Sequence, residues 1–113
     1  MIINKTIHTS TKGQGDIVDI TDQITMEIHN TEIKAGIVTV FVAGSTAGLT
    51  TIENESGLIT DFKAMWERIM PQNIRYEHNE RWNDGNGYAH VWASLLGPSL
   101  TIPLVDKRLT LGT

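Results

Sequence analysis

Between Arg75 and His90 the chain concentrates side chains that move protons and hold ions: Arg75, Glu77, His78, Asn79, Glu80, Arg81, Asp84, Asn86 and His90. His78 and His90 are twelve residues apart, which matches no standard zinc spacing. If the loop between them folds back, the two imidazoles converge. With a carboxylate such as Glu55 or Asp84 they would then suit a divalent ion or a proton transfer. Either histidine alone serves equally well as a hydrogen-bonded structural residue, whereas the pair in this polar setting favours a site. His8 and His29 lie in ordinary amphipathic contexts and read as structural. Glu53 and Glu55, two apart, would face the same side of a strand. They could hold a divalent ion or do acid–base work, although solvated surface charge is the commoner role.

A second stretch is Gly44-Ser45-Thr46-Ala47-Gly48, rich in glycine and hydroxyls after an apolar run. Its backbone and side chains could contact a phosphate; a turn that hydrogen-bonds itself is the commoner explanation. Trp82 and Tyr88 flank Asp84-Gly85-Asn86 and could stack on a flat ring or pack between subunits. If Tyr88–Leu96 is helical, free N–H groups near Asp84–Asn86 favour an anion. The phosphate-loop, dinucleotide, metalloprotease-helix and nucleophile-elbow motifs are absent from the sequence.

These residues need elements to position them. Ile3 to His8 alternates with period two and predicts an opening strand, Thr11–Gly15 a turn, and Asp16–Ile20 a second strand. Thr21 or Asp22 would cap a helix in which Ile24 and Ile28 share a face, fading between Asn30 and Gly36. Gly36–Ala43, apolar almost throughout, predicts a central strand covered on both faces. Ser56-Gly57 opens a helix with Leu58, Phe62, Met65, Trp66 and Ile69 on one stripe, ended by Pro71. Ile74–His78 predicts a strand, Asn79–Gly87 a polar loop, and Tyr88–Leu96 a buried helix or strand stopped by Gly97-Pro98. Leu100–Val105, Asp106–Arg108 and Leu109–Leu111 read as a hairpin, with Pro103 on an edge or at a bulge. Strand-rich order with two or three helices predicts an α+β architecture.

The 113 residues suit a single domain. The content of fourteen isoleucines and fourteen threonines leans toward strand. The net charge of −4 gives no footprint for a phosphate backbone, so no nucleic-acid partner is expected. No apolar run approaches the ~20 residues of a membrane span, and the start lacks the pattern of a signal peptide. The expected location is therefore cytoplasmic, without a membrane partner. With no cysteines, disulfides, thiolate metal sites and a cysteine nucleophile are excluded.

Three ordered blocks carry a resemblance: Val40 through Glu55, Asp84-Gly85-Asn86-Gly87-Tyr88-Ala89-His90, and Ser94-Leu95-Leu96-Gly97-Pro98-Ser99, with Leu109-Thr110-Leu111-Gly112-Thr113 closing. Over essentially its whole length the chain resembles the secondary thiamine-phosphate synthase family, also called YjbQ-like. The resemblance implies one α+β domain over residues 1–113, assembled as a homotrimer, with a histidine-containing polar pocket near the subunit boundary. It also implies thiamine-phosphate synthase activity, as a secondary activity of the family, which joins a hydroxymethylpyrimidine diphosphate to a thiazole phosphate and releases diphosphate. The polar positions carried over are Ser45, Thr46, Glu55, Asp61, His78, Asn79, Asp84, Asn86 and His90. Of these, His78, His90, Glu55 and Asp84 are the catalytic candidates. Ser45, Thr46, Asp61, Asn79 and Asn86 are the substrate-binding candidates, and His78 and His90 would hold a divalent ion, magnesium or zinc.

The chain departs from the family pattern at Gly44 and Tyr88, where many relatives have histidine, so a three-histidine metal site is not expected. Relatives also continue past Thr113 into a further strand and a basic tail, which this chain is expected to lack. The alternative to the enzyme is a non-catalytic binding protein for a phosphorylated metabolite or metal ion. A purely structural oligomer module stands third.

Overall fold

The computed structural model describes residues 1–112; Thr113, the last residue of the closing block, lies outside them. In chain order the elements are α1 (Thr21–His29), β1 (Gly36–Phe41), α2 (Ser56–Ile69), α3 (Glu77–Trp82), α4 (Gly87–Leu96), β2 (Ser99–Val105) and β3 (Arg108–Leu109). The class is α+β, as expected. The strands form one sheet in the order β1-β2-β3. Backbone proximity groups the chain into two units, Met1–Val38 with Thr101–Gly112, and Thr39–Leu100.

In the first unit, α1 is started by a residue outside it. The Asp19 carboxylate accepts the Thr21 N–H at 2.9 Å and the Thr21 hydroxyl at 2.6 Å, the role expected of Thr21 or Asp22. Asp22 instead lies in the first turn, where its charge complements the free N–H groups. Ile24 and Ile28 are both buried, as their one-turn spacing predicts. The hairpin pairs Leu104 with Leu109 and Val105 with Arg108, so its turn is the dipeptide Asp106-Lys107, shorter than expected. Both residues have positive φ, 50° and 62°, the handedness that matches the twist of paired strands.

Pro103 stands in the middle strand, not at an edge. Its carbonyl accepts both the N–H and the hydroxyl of Thr110 at 3.0 Å. Having no N–H to return, Pro103 leaves β3 ending at Leu109. The strands expected at Ile3–Ile7 and Asp16–Ile20 do not form. Alternation selects which face a strand would bury, but the strand itself requires a partner's hydrogen bonds.

β1 forms where expected but is not covered on both faces. Ile37 and Phe41 are 72% and 66% exposed and alternate with half-buried Val38 and Val40. Its apolar run reports strand preference, whereas its surroundings cover one face.

The second unit is organised by aromatic rings. Trp66 stacks on Trp92 with centroids 5.4 Å apart, and Phe62 and Tyr88 approach these rings edge-on at 5.7 and 4.8 Å. The Trp92 indole N–H donates to the Met70 carbonyl at 3.0 Å, a free carbonyl at the end of α2. Trp66, Tyr88 and Ala93 are buried. Residues 74–76 form no strand, and α3 replaces much of the expected polar loop.

Candidate functional site

The Arg75–His90 stretch becomes a helix–turn–helix whose parts position two histidines. α3 stops at Asn83, whose φ of 54° is left-handed; asparagine tolerates that conformation better than most residues. The Asn83 N–H returns to the Asn79 carbonyl at 2.7 Å. Gly85, with φ of 70°, reverses the chain so that α4 begins at Gly87. The Gly87 N–H donates to the Asn79 side-chain oxygen at 2.8 Å. A Cβ on Gly87 would lie 2.7 Å from Tyr76 Cβ, so only glycine fits this crossing unchanged. Tyr76 has no signal in the sequence pattern, and Gly87 stands in the resembling block without a role of its own. The available signal was a glycine beside Asn86 at a helix start.

This packing brings His78 of α3 and His90 of α4 together, their ring centroids 4.4 Å apart with the planes inclined at 59°. His78 Nε2 lies 3.2 Å from Asp84 Oδ2. The Asn86 amide satisfies its surroundings with its nitrogen turned toward the carboxylate, 3.0 Å from Oδ1 and 3.1 Å from Oδ2 of Asp84, and 3.0 Å from His78 Nε2. With a proton on Nε2, His78 donates to Asp84 and leaves Nδ1 as its acceptor, the Asn86 amide then donating to the Asp84 carboxylate and not to Nε2. His78 and Asp84 side chains are 34% and 40% exposed, so small solutes can reach them. The arrangement offers an oriented proton acceptor, a second imidazole beside it, and an amide that steadies the carboxylate.

The remaining candidates lie in other settings. Ser45 and Thr46 are the exposed central residues of a turn closed by the Ala47 N–H on the Gly44 carbonyl at 3.2 Å, the self-bonded alternative. Ser45 also lines a cavity of about 260 Å³ with Phe41, Ser94 and Pro98 among its walls. At Gly48 a Cβ would stand 2.7 Å from Leu96 Cβ, which ties its glycine requirement to packing on α4.

Glu55 caps α2, accepting the Gly57 and Leu58 N–H groups at 2.8 Å each. Those two backbone bonds hold its carboxyl below the ordinary 4.5. Asp61 is exposed on α2. Asn79 acts through Gly87. Tyr88 is only 4% exposed and packs in the core, so it is no stacking platform, whereas Trp82 is 71% exposed. Burial first, then the charge of Glu67, pushes the phenols of Tyr76 and Tyr88 up. Among the described residues no three His, Asp or Glu side chains converge as a metal-holding set.

Fold and site together define a small α+β protein with a solvent-reachable His–His–Asp–Asn cluster across a helix pair. The chain belongs to the YjbQ family: the pattern described as UPF0047 protein YjbQ-like matches residues 5–113. A UPF0047 protein of Methanothermobacter thermautotrophicus is 35% identical over 103 residues, 91% of this chain and 71% of the relative. The UPF0047 protein YjbQ of Salmonella typhimurium is 31% identical over 115 residues, 100% of this chain and 82% of the relative. Among solved structures, a YbjQ-like protein of unknown function from Sulfolobus solfataricus superposes with a TM-score of 0.83 at 32% identity, covering 92% of this chain and 75% of that one. No described helix is long and apolar enough to cross a membrane.

Proposed function

We propose that the His78–His90 cluster is a transferase site for phosphorylated small molecules, of the thiamine-phosphate synthase type. In that reaction the thiazole nitrogen forms a bond to the pyrimidine methylene carbon as the bond from that carbon to the diphosphate oxygen breaks. Diphosphate leaves with the bonding electrons. The observation that carries the reading is the approach of the two imidazole rings to 4.4 Å, with Asp84 on one of them. Imidazole N–H groups can donate to the oxygens of a departing diphosphate, where charge develops. His78, oriented by Asp84, can supply or accept a proton.

The test is thiamine phosphate formation from the two phosphorylated substrates, with and without magnesium, beside His90→Ala. Product that falls with the substitution supports the site; undiminished product refutes it. Zinc titration followed by mass spectrometry asks separately whether His78 and His90 hold a metal with donors from the ligand or water.

One observation favours binding without turnover. Glu55, a carboxylate offered for catalysis, has its oxygens engaged on the α2 backbone. Ligand binding with no product would select that reading. Homotrimeric assembly is part of the same proposal and is supported by exposed Ile37, Phe41, Trp82 and Leu95. Light scattering on the purified chain tests it.

A further inference from the structure

The unit formed by Met1–Val38 and Thr101–Gly112 contains a second concave surface, unused by the reading above and independent of it. α1 carries Thr21, Thr25 and His29 at intervals of four, so they lie along one helix face. These three residues and the Asp106–Arg108 end of the hairpin line a cavity of about 530 Å³. Sites for small molecules span roughly 300–1,000 Å³. The polar lining is one-sided in charge: two hydroxyls, an imidazole, the Lys107 ammonium and the Arg108 guanidinium, against the single carboxylate of Asp106.

The hairpin tip is held in place by Lys107. Its N–H donates to the Lys34 carbonyl at 2.8 Å and its Nζ to the Thr31 carbonyl at 2.6 Å. Arg108 is different. Among the described residues no carboxylate lies within 4.0 Å of its guanidinium, leaving a planar, permanently charged fork suited to phosphate.

We infer that this cavity binds a small phosphate monoester with free hydroxyls. Arg108 and His29 hold the phosphate, Thr25 donates to one of its remaining oxygens while the Thr21 hydroxyl stays on Asp19, and Asp106 accepts from the ligand's hydroxyls. The geometry assigns binding and no covalent step.

The experiment is an amide chemical-shift titration of the whole chain with inorganic phosphate and with glycerol 3-phosphate. Shifts should concentrate at Thr21, Thr25, His29 and residues 106–109 and remain in His90→Ala. Arg108→Gln should weaken both probes about tenfold or more, the loss of a charge-assisted hydrogen bond. Thr25→Val should weaken them less, and Asp106→Asn should weaken only glycerol 3-phosphate. Shifts scattered over every surface cation, shifts centred on His78 and His90, no shifts at all, or parental affinity in Arg108→Gln would each overturn the assignment. Arg108 is exposed, so its substitution leaves the core intact, and Thr25→Val provides a second reading.

Discussion

The N–H of Gly87 and the side-chain oxygen of Asn79 meet at 2.8 Å, and this bond ties the start of α4 to the first turn of α3. Each helix carries one of the paired histidines, so the distance between the imidazoles depends on a contact neither of them makes. Asn79→Ala leaves the buried Gly87 N–H without its acceptor, at a cost of about 1–3 kcal/mol. Gly87→Ala forces a methyl against Tyr76 Cβ, where only 2.7 Å is available, and costs roughly 1–3 kcal/mol. Urea midpoints measure both. An unchanged midpoint in Gly87→Ala would show that the crossing is looser than described.

Asp84→Asn tests orientation against mere presence of charge. The fold should persist, because Asp84 is exposed, while the thiamine phosphate formation proposed for this site should drop. His78→Ala should lose more, about 100-fold or beyond, the usual weight of a general acid or base. Rates with matched far-UV spectra distinguish this from unfolding. Equal rates in parent and Asp84→Asn would remove Asp84 from the reaction.

Glu55 gives stability a pH dependence with a definite sign. Its carboxyl lies below 4.5 in the folded chain because Gly57 and Leu58 donate to it. The folded state therefore binds that proton less readily than the unfolded chain. The cap's contribution is fully present above the unfolded value and is lost as pH falls through the lowered folded one. Parent and Glu55→Gln should differ most at neutral pH and converge under acid, measured by denaturation at a series of pH values. A constant difference would contradict the cap.

Trp92→Phe keeps an aromatic ring against Trp66 but removes the donor to Met70. It should cost about 1 kcal/mol, and Trp92→Ala about 3 kcal/mol. Thermal unfolding of the two variants ranks them; equal losses would mean that the stacked ring contributes nothing beyond the hydrogen bond.

Much of this was legible because it is local. Ile24 and Ile28 one turn apart, the stripe from Leu58 to Trp66, and the stop at Gly97-Pro98 act over a few residues. The segment Glu77–Trp82 was not legible as a helix. Its only apolar residue is Trp82, which leaves no periodic face to read. At the site, chain order showed an unusual concentration of His, Asp and Asn but not which carboxylate would meet which imidazole. The left-handed Asn83 and the reversal at Gly85 made that choice, bringing Asp84 rather than Glu55 to His78.

The sequence by itself therefore determined the α+β class, the YjbQ-like family, two of the helices, the hairpin and the polar stretch that holds both histidines, and it left residues 88–96 open between helix and strand. Tertiary structure decided that β1 shows Ile37 and Phe41 to solvent and that the alternating N-terminal segments remain outside the sheet. It also placed His78 beside His90 and gathered Thr21, Thr25 and His29 with Arg108 around one cavity. Periodicity and capping are properties of neighbouring residues, whereas a strand ladder or a binding cluster depends on partners distant along the chain.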